Sequence, residues 1–413
     1  MRTEGDLIKI NDWLLPLSWL YGIGVGVRNY LFEIGVLKQR SFDIPVISVG
    51  NITVGGSGKT PHVEYIVRLL RDIAKVGVLS RGYKRKSHGY VLAHEDTPLN
   101  DIGDEPWQMK QKFDDIYMAV DRSRCNGINR LMTDPETNDV DVIVLDDAYQ
   151  HRYVNPGINI LLVDYHRLII YDKLLPAGRL REPMKGKNRA DMVIVTKCPK
   201  DLKPMEFRVL TKAMNLFPYQ DLFFTCVDYD WPQPVFVDCA EPVNANKQKP
   251  LALLSKKNVL QVTGIASPEQ MENDLRTKCR TITSLKFGDH HSFTPKDIDL
   301  INVTFDNLPS PKLVITTEKD ASRLINTDGL SPEVKAHIYA LPIKVKFLQG
   351  QEEAFNTKII SYVRKNSRNS ILVKTKDENK PQDRNHSGDR FRTISFREGG
   401  RTVASGVVSK VIA

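Results

Sequence analysis

Hydrophobic and polar positions change their period along this chain, and each change marks a different kind of element. From Trp13 to Val27 the run WLLPLSWLYGIGVGV is apolar except for Ser18, and Arg28, Lys38 and Arg40 follow it. It spans about fifteen residues, whereas a membrane-crossing helix needs about twenty. Trp13, Trp19 and Tyr21 suit a membrane interface, and the three cations suit lipid phosphates. A helix lying in or dipping into one leaflet is therefore expected within residues 1–40, ahead of a helix packed on the protein's own core or a true span. No basic leader or small-residue cleavage site is present, so a removable signal peptide is not expected.

From Asp43 onward, short β-branched runs alternate with helical periodicity, the pattern of a parallel sheet with crossover helices. Strands are predicted at Pro45 to Val49, Val76 to Ser80, Ile116 to Val120, Val142 to Asp146, Ile158 to Asp164 and Met192 to Thr196. A second α/β unit starts near Lys249. Its strands are Val259 to Ile265, Leu313 to Thr317 and His337 to Phe347, with a helix start at Ser267-Pro268-Glu269-Gln270, Ser267 being the cap, and a last helix near Glu352 to Lys365. Residues 367–390 are polar and charged, a flexible linker by composition. Beyond it, two short strands are predicted around Glu398-Gly399-Gly400-Arg401. The expected division is an N-terminal helix (1–40), a nucleotide-binding core (41–248), a second domain (249–366), the linker and a short β tail (391–413).

Composition narrows this picture little. Hydrophobic residues make up 41% and charged ones 26%, values of a soluble globular protein, which excludes bulk disorder. The net charge of +9 favours anionic partners without choosing among nucleic acid, lipid and phosphorylated substrate. Five scattered cysteines without CxxC spacing exclude a disulfide framework or zinc site and fit a reducing compartment.

The chemistry is concentrated in a few segments. Thr53-Val54-Gly55-Gly56-Ser57-Gly58-Lys59-Thr60 lies between a strand and a helix opening with Thr60 and Pro61. That context lets successive backbone N–H groups converge on phosphate oxygens, Lys59 reach the β/γ-phosphates and Thr60 bind Mg²⁺. Thr53 stands where such loops usually open with Gly. The strand ending in Asp146 and Asp147 supplies a magnesium carboxylate, although a solvated acidic pair is the simpler alternative. Ala148-Tyr149-Gln150-His151 follows, with Tyr149 equally suited to the core.

Gly103-Asp104-Glu105-Pro106 and Phe287-Gly288-Asp289-His290-His291 are harder to explain as scaffold. An acid in one domain and a histidine in the other could form an acid–base pair at an acceptor hydroxyl; a His-His pair can also be a metal fragment or a helix-capping loop. Leu174 to Pro183 carries Arg179 and Arg181 in a Pro- and Gly-shaped loop, either a phosphate or sugar clamp or a surface turn.

Taken together, LPLSWLYG, VGNITVGGSGKTP, LSRGY, GDEP, DDAYQH, LLPAGRLREP, FGDHHSFT and TTEKDA resemble the tetraacyldisaccharide 4′-kinases, from about Leu14 through about Lys365. The resemblance implies a P-loop NTPase-type α/β fold with a second, smaller α/β domain and an N-terminal membrane-associated helix. It implies an ATP- and Mg²⁺-dependent transfer of the γ-phosphate to the 4′-hydroxyl of a tetraacyldisaccharide 1-phosphate, at the cytoplasmic face of the bacterial inner membrane. No nucleic acid or obligate protein partner is implied. Matched by motif, Asp104 and His290 are the catalytic pair, with His291 the weaker partner. Thr53 to Thr60 bind ATP, and an opening Thr is the family's own. Thr60, Asp146 and Asp147 hold the metal, while Glu105, Arg122, Gln150, His151, Arg179 and Arg181 are substrate-side candidates. Ala148 and Lys84 stand where the family commonly has Gly. The tail from Phe391 resembles the end of elongation factor Tu instead.

Two other classes compete. A GTP-driven switch would need Asn or Thr-Lys-x-Asp after a strand, but Thr196-Lys197-Cys198-Pro199 has Pro in the Asp position and Thr317-Glu318-Lys319-Asp320 has the wrong spacing. A noncatalytic membrane adaptor would bind ATP without lipid-dependent turnover.

Overall fold

A computed structural model describes residues 10–239, 250–265, 268–288 and 291–366, together with the backbone of 392–398 and 401–408. In chain order the helices are α1 (Leu15–Glu33), α2 (Lys59–Leu70), α3 (Leu99–Ile102), α4 (Asp104–Lys112), α5 (Arg124–Thr133), α6 (Pro204–Met214), α7 (Glu269–Arg276), α8 (Pro295–Asp306), α9 (Glu318–Leu324), α10 (Pro332–His337) and α11 (Glu352–Asn366). The strands are β1 (Val46–Gly50), β2 (Val76–Ser80), β3 (Val91–Ala93), β4 (Tyr117–Val120), β5 (Val142–Asp146), β6 (Ile158–Asp164), β7 (Met192–Thr196), β8 (Asp221–Tyr229), β9 (Gln233–Pro234), β10 (Asn258–Thr263), β11 (Thr281–Lys286), β12 (Lys312–Thr317), β13 (Ile338–Leu341) and β14 (Ile343–Phe347).

The large sheet runs β14-β8-β7-β6-β1-β5-β2-β4-β3 and is parallel except at its edge strands β14 and β3. Every residue of β1, β2, β5 and β7 is buried, because helices cover both faces of a central parallel sheet. On one face Ile47 and Val49 pack with Ile66, Val67 and Leu70 of α2; on the other Leu79, Ile143 and Leu145 meet Ile128 and Leu131 of α5. The small sheet, β11-β10-β12-β13-β9, is parallel up to its antiparallel edge strand β9. Its core joins Leu260, Val262 and Val314 to Ile298, Ile301 and Phe305 of α8.

Sheet membership departs from the expected boundary at residue 249. β9 lies before it yet joins the small sheet, while β14 and α11 lie after it yet return to the large one. The apolar stripe Phe355, Ile359 and Val363 of α11 packs into the same core as Ile47 and Met192. The single strand expected over His337 to Phe347 is divided at Pro342 into β13 and β14, which belong to different sheets. Proline has no N–H to continue a ladder, so the chain changes partners there. The expected Ser267 cap and the 367–390 linker lie outside the described residues; α7 begins at Glu269 after Pro268. The two tail strands, Arg392–Glu398 and Arg401–Val408, pair antiparallel as a separate hairpin.

Helix α1 is longer than the apolar run that announces it and buries only Ser18 and Phe32. Its attachment is polar: the Ser18 hydroxyl donates to Leu174 O, Tyr21 OH to Arg181 O at 2.7 Å, and Arg28 Nη2 to Gln150 O. Trp13, Leu17, Leu20, Ile23, Val27, Tyr30 and Ile34, three or four residues apart, form an exposed stripe along it. Among the described residues no helix is long and apolar enough to cross a membrane.

Candidate active site

The loop between β1 and α2 has the backbone that anion binding requires. Gly55 and Gly58 take φ values of +117° and +81°, a region that favours glycine, and Gly58 caps α2 so that Lys59 and Thr60 open the helix. Side chains from neighbouring strands hold the loop. Asn51 Nδ2 donates to Ser57 Oγ at 2.7 Å, Thr196 Oγ1 donates to Ser57 O at 2.9 Å, and Lys197 Nζ bonds both Gly56 O and Asp164. The buried ring of His62, one turn into α2, bridges Gly58 O and Thr225 Oγ1, and burial pulls its pKa down to about 4. The Pro- and Gly-shaped loop after β6 lies directly against the phosphate loop. Thr53 pairs with Leu180, Val54 N–H donates to Arg179 O at 2.8 Å, and Arg181 N–H donates to Ile52 O at 2.8 Å. Arg179 Nη1 lies 3.8 Å from where a Cβ on Gly55 would stand, so this segment packs on the phosphate loop.

Across from Lys59 stand the two carboxylates that end β5. Asp146 is buried; one oxygen accepts from Ser80 Oγ at 3.0 Å and the other, Oδ1, has no protein partner. Burial first, then the carboxylates of Glu105 and Asp147, push Asp146 up from its ordinary 3.8 to about 7, against the pull of Lys59 and Ser80. Asp147, at φ +46°, lies 3.7 Å from Lys59 Nζ and 3.7 Å from Arg181 Nη1. A buried carboxylate oxygen without a partner and a second carboxylate, with the Thr60 hydroxyl in the first turn of α2, are hard oxygen donors of the kind that suit Mg²⁺. Among the described residues no three or more His, Cys, Asp or Glu side chains form a closed metal cage. An ion here would take its other ligands from water and phosphate.

The Gly103-Asp104-Glu105-Pro106 segment is set by backbone packing between two loops. A Cβ on Gly103 would meet Tyr83 O at 2.7 Å and one on Gly82 would meet Ile102 O at 2.9 Å, so the turn after β2 and the start of α4 fit only with glycines there. Asp104 begins α4 and accepts from Arg323 Nη2 at 2.6 Å; Glu105 pairs with Lys319 at 2.8 Å. Both cations come from α9 on the small sheet. The expected partner His290 lies outside the described residues. His291 is committed elsewhere: its Nε2 meets Asp297 at 2.9 Å, inside the Thr294–Asp297 capping box of α8, and its ring stacks on Phe287. This is the helix-capping alternative for the His-His pair, realised by His291.

Gln150 is a hub more than a surface: it accepts from Arg181 at 3.2 Å, donates to Asn51 O at 3.1 Å and receives Arg28 on its own carbonyl. His151 is pulled down to about 4 by burial and then by the positive field of Arg124, Arg28 and Arg81. Arg122 is exposed in the turn before α5, whereas Arg124 is buried and donates to the main-chain oxygens of Asp121 and Asp146. Sequence reasoning missed Asn51, His62, Ser80, Arg124, Lys197 and Arg323. Asn51, Ser80 and Lys197 lie in segments the sequence singled out, VGNITVGGSGKTP, LSRGY and Thr196-Lys197, and Arg323 lies two residues past TTEKDA; His62, Arg124 and Arg323 gain meaning only through contacts with Thr225, Asp146 and Asp104.

Comparison with known proteins finds one family along most of the chain. The family model described as tetraacyldisaccharide-1-P 4′-kinase matches residues 10–364. The tetraacyldisaccharide 4′-kinase of Phocaeicola vulgatus is 58% identical over 369 residues, covering 89% of this chain and 99% of the relative. That of Bacteroides fragilis is 51% identical over 378 residues, covering 91% and 100%. The crystal structure of LpxK from Aquifex aeolicus in complex with ATP superposes with a TM-score of 0.63 at 30% identity, covering 85% of this chain and 98% of that one.

Proposed function

Because the chain belongs to the tetraacyldisaccharide-1-P 4′-kinase family, we propose how its residues divide the work of that reaction. The enzyme is an ATP-dependent kinase that transfers the γ-phosphate to the 4′-hydroxyl of a tetraacyldisaccharide 1-phosphate in lipid A biosynthesis. Residues Thr53 to Thr60 bind the triphosphate, with backbone amides and the α2 N-terminus facing its oxygens and Lys59 neutralising charge that builds during transfer. Thr60, Asp146 and Asp147 would hold Mg²⁺, which would supply positive charge against the phosphates when bound. Arg179 and Arg181 close over the donor loop.

Asp104, with His290, accepts the proton of the 4′-hydroxyl as its oxygen forms the new bond to phosphorus and the bond from phosphorus to the β-phosphate oxygen breaks, releasing ADP. Arg28, Arg81 and Arg124 set up a positive field around the neutral His151 that is suited to the substrate's 1-phosphate. The exposed stripe of α1 enters the cytoplasmic face of the inner membrane while its polar face stays on Gln150 and Arg181, bringing an acylated substrate to the site from the lipid side.

The observation that carries this reading is the meeting of three segments at the C-terminal ends of parallel strands: Lys59 lies 3.7 Å from Asp147, and Glu105 is close enough to raise the proton affinity of Asp146. Asp104→Asn tests the acceptor half. It should lose at least about 100-fold in kcat with ATP affinity intact; a wild-type rate would remove Asp104 from the chemistry.

A further inference from the structure

Asp104 lies on α4 of the large-sheet lobe, yet the cation beside it comes from α9 of the small-sheet lobe. Arg323 Nη2 donates to Asp104 Oδ2 at 2.6 Å while Nη1 of the same guanidinium donates to Asp320 Oδ1 at 3.3 Å. Asp320 is wholly buried, and its other oxygen accepts from Gly264 N–H at 2.9 Å and Thr317 Oγ1 at 2.7 Å. Gly264 directly follows β10 and packs against His291: a Cβ there would stand 3.4 Å from His291 Cβ. One planar fork thus connects the carboxylate of GDEP to the turn that supports the 287–291 segment. A lysine, with a single nitrogen, could not present the two separate N–H donors by which this guanidinium meets the two carboxylates.

Two further ion pairs cross the same boundary, Lys319 to Glu105 at 2.8 Å and Lys112 to Glu318 at 2.7 Å, and neither touches Asp104. They dock the lobes without orienting that carboxylate.

We propose that Arg323 is a positioning residue of the phosphoryl transfer: by bridging Asp104 and Asp320 it fixes the direction of the Asp104 carboxylate and keeps it anionic while the lobes are docked. This rests on Asp104 being the proton acceptor. Removing the cation raises the proton affinity of the carboxylate and loosens its orientation, and loss of such an orienting partner costs about 10–100-fold.

The experiment compares Arg323→Ala, Arg323→Lys, Glu318→Gln and Asp104→Asn in the full chain, measuring kcat, KM for ATP and the pH dependence of kcat. Arg323→Ala should lower kcat about 10–100-fold, leave KM for ATP within about twofold and move the acidic limb to higher pH. Arg323→Lys should return the limb toward its wild-type position while recovering only part of the rate, and Glu318→Gln should keep wild-type kcat. An acidic limb unmoved in Arg323→Ala, or an equal rate loss in Glu318→Gln, would make Arg323 a lobe-docking residue only and overturn the inference. Asp104→Asn separates the two claims: if it is active the proton-acceptor assignment fails, and if it is inactive while Arg323→Ala is fully active only the positioning role fails.

Discussion

Asp146→Asn should make the metal-free protein more stable at pH 8. The rise in Asp146 from 3.8 to about 7 corresponds to on the order of 4 kcal/mol, at about 1.4 kcal/mol per tenfold change in proton affinity. The sign follows from which state holds the proton. Between about pH 4 and about pH 7 the unfolded chain releases this proton while the folded chain keeps it, so wild-type stability falls across that window and the full penalty stands above it. Asparagine carries no charge and its oxygen can still accept from Ser80, but its unpaired amide costs about 1–2 kcal/mol. A net gain of about 2–3 kcal/mol is left at pH 8, and it reverses to a loss of about 1–2 kcal/mol toward pH 4, where only the amide's cost remains. Urea unfolding midpoints in EDTA from pH 4.5 to 8 measure it. Mg²⁺ with ATP should then raise the wild-type midpoint and leave the variant's almost unmoved. A variant no more stable than wild type at pH 8, or an advantage that ignores pH, would refute the view of Asp146 as a buried charge kept for a cation.

Other expectations follow from single features. His62, held near 4 by burial, leaves the unfolded chain with an extra proton between pH 6.5 and 4, so stability falls there by about 1.4 kcal/mol per pH unit; in His62→Gln that contribution to the slope of unfolding free energy against pH should vanish. Leu20→Glu with Ile23→Glu removes two side chains worth about 1.5–3 kcal/mol each from the exposed stripe of α1, so co-sedimentation with anionic vesicles should drop at least about 100-fold while ATP binding in detergent is unchanged. Lys84 adopts φ +59°, so Lys84→Gly should raise the thermal midpoint, by relief of about 0.5–1 kcal/mol of strain.

The donor half of the site was legible because it is local. The phosphate loop and the Asp146-Asp147 strand end each declare themselves within about eight residues. The acceptor half depends on pairings far along the chain: Arg323 meets Asp104 across 219 positions and Lys319 meets Glu105 across 214, separations that no spacing rule covers. The same distinction explains the fold. Buried parallel strands such as Val142–Asp146 read as continuous apolar runs, whereas β11, with six residues all partly or wholly exposed, gives no such signal. At Pro342 the proline was visible in the sequence, but the exchange of sheets it accompanies was not. Lys84 shows the reverse: the resemblance marked it as a place for Gly, and its left-handed backbone supplies the reason.

The central claim is that the phosphate loop and the Asp146-Asp147 pair form one metal-dependent donor site serving a lipid acceptor. Its most direct test is transfer of γ-labelled phosphate from ATP to a tetraacyldisaccharide 1-phosphate in detergent, with and without Mg²⁺, by wild type and Lys59→Ala. The account predicts label in the lipid only for wild type with Mg²⁺ and at least about 100-fold less for Lys59→Ala. Transfer that proceeds equally in EDTA, or undiminished without Lys59, would contradict it.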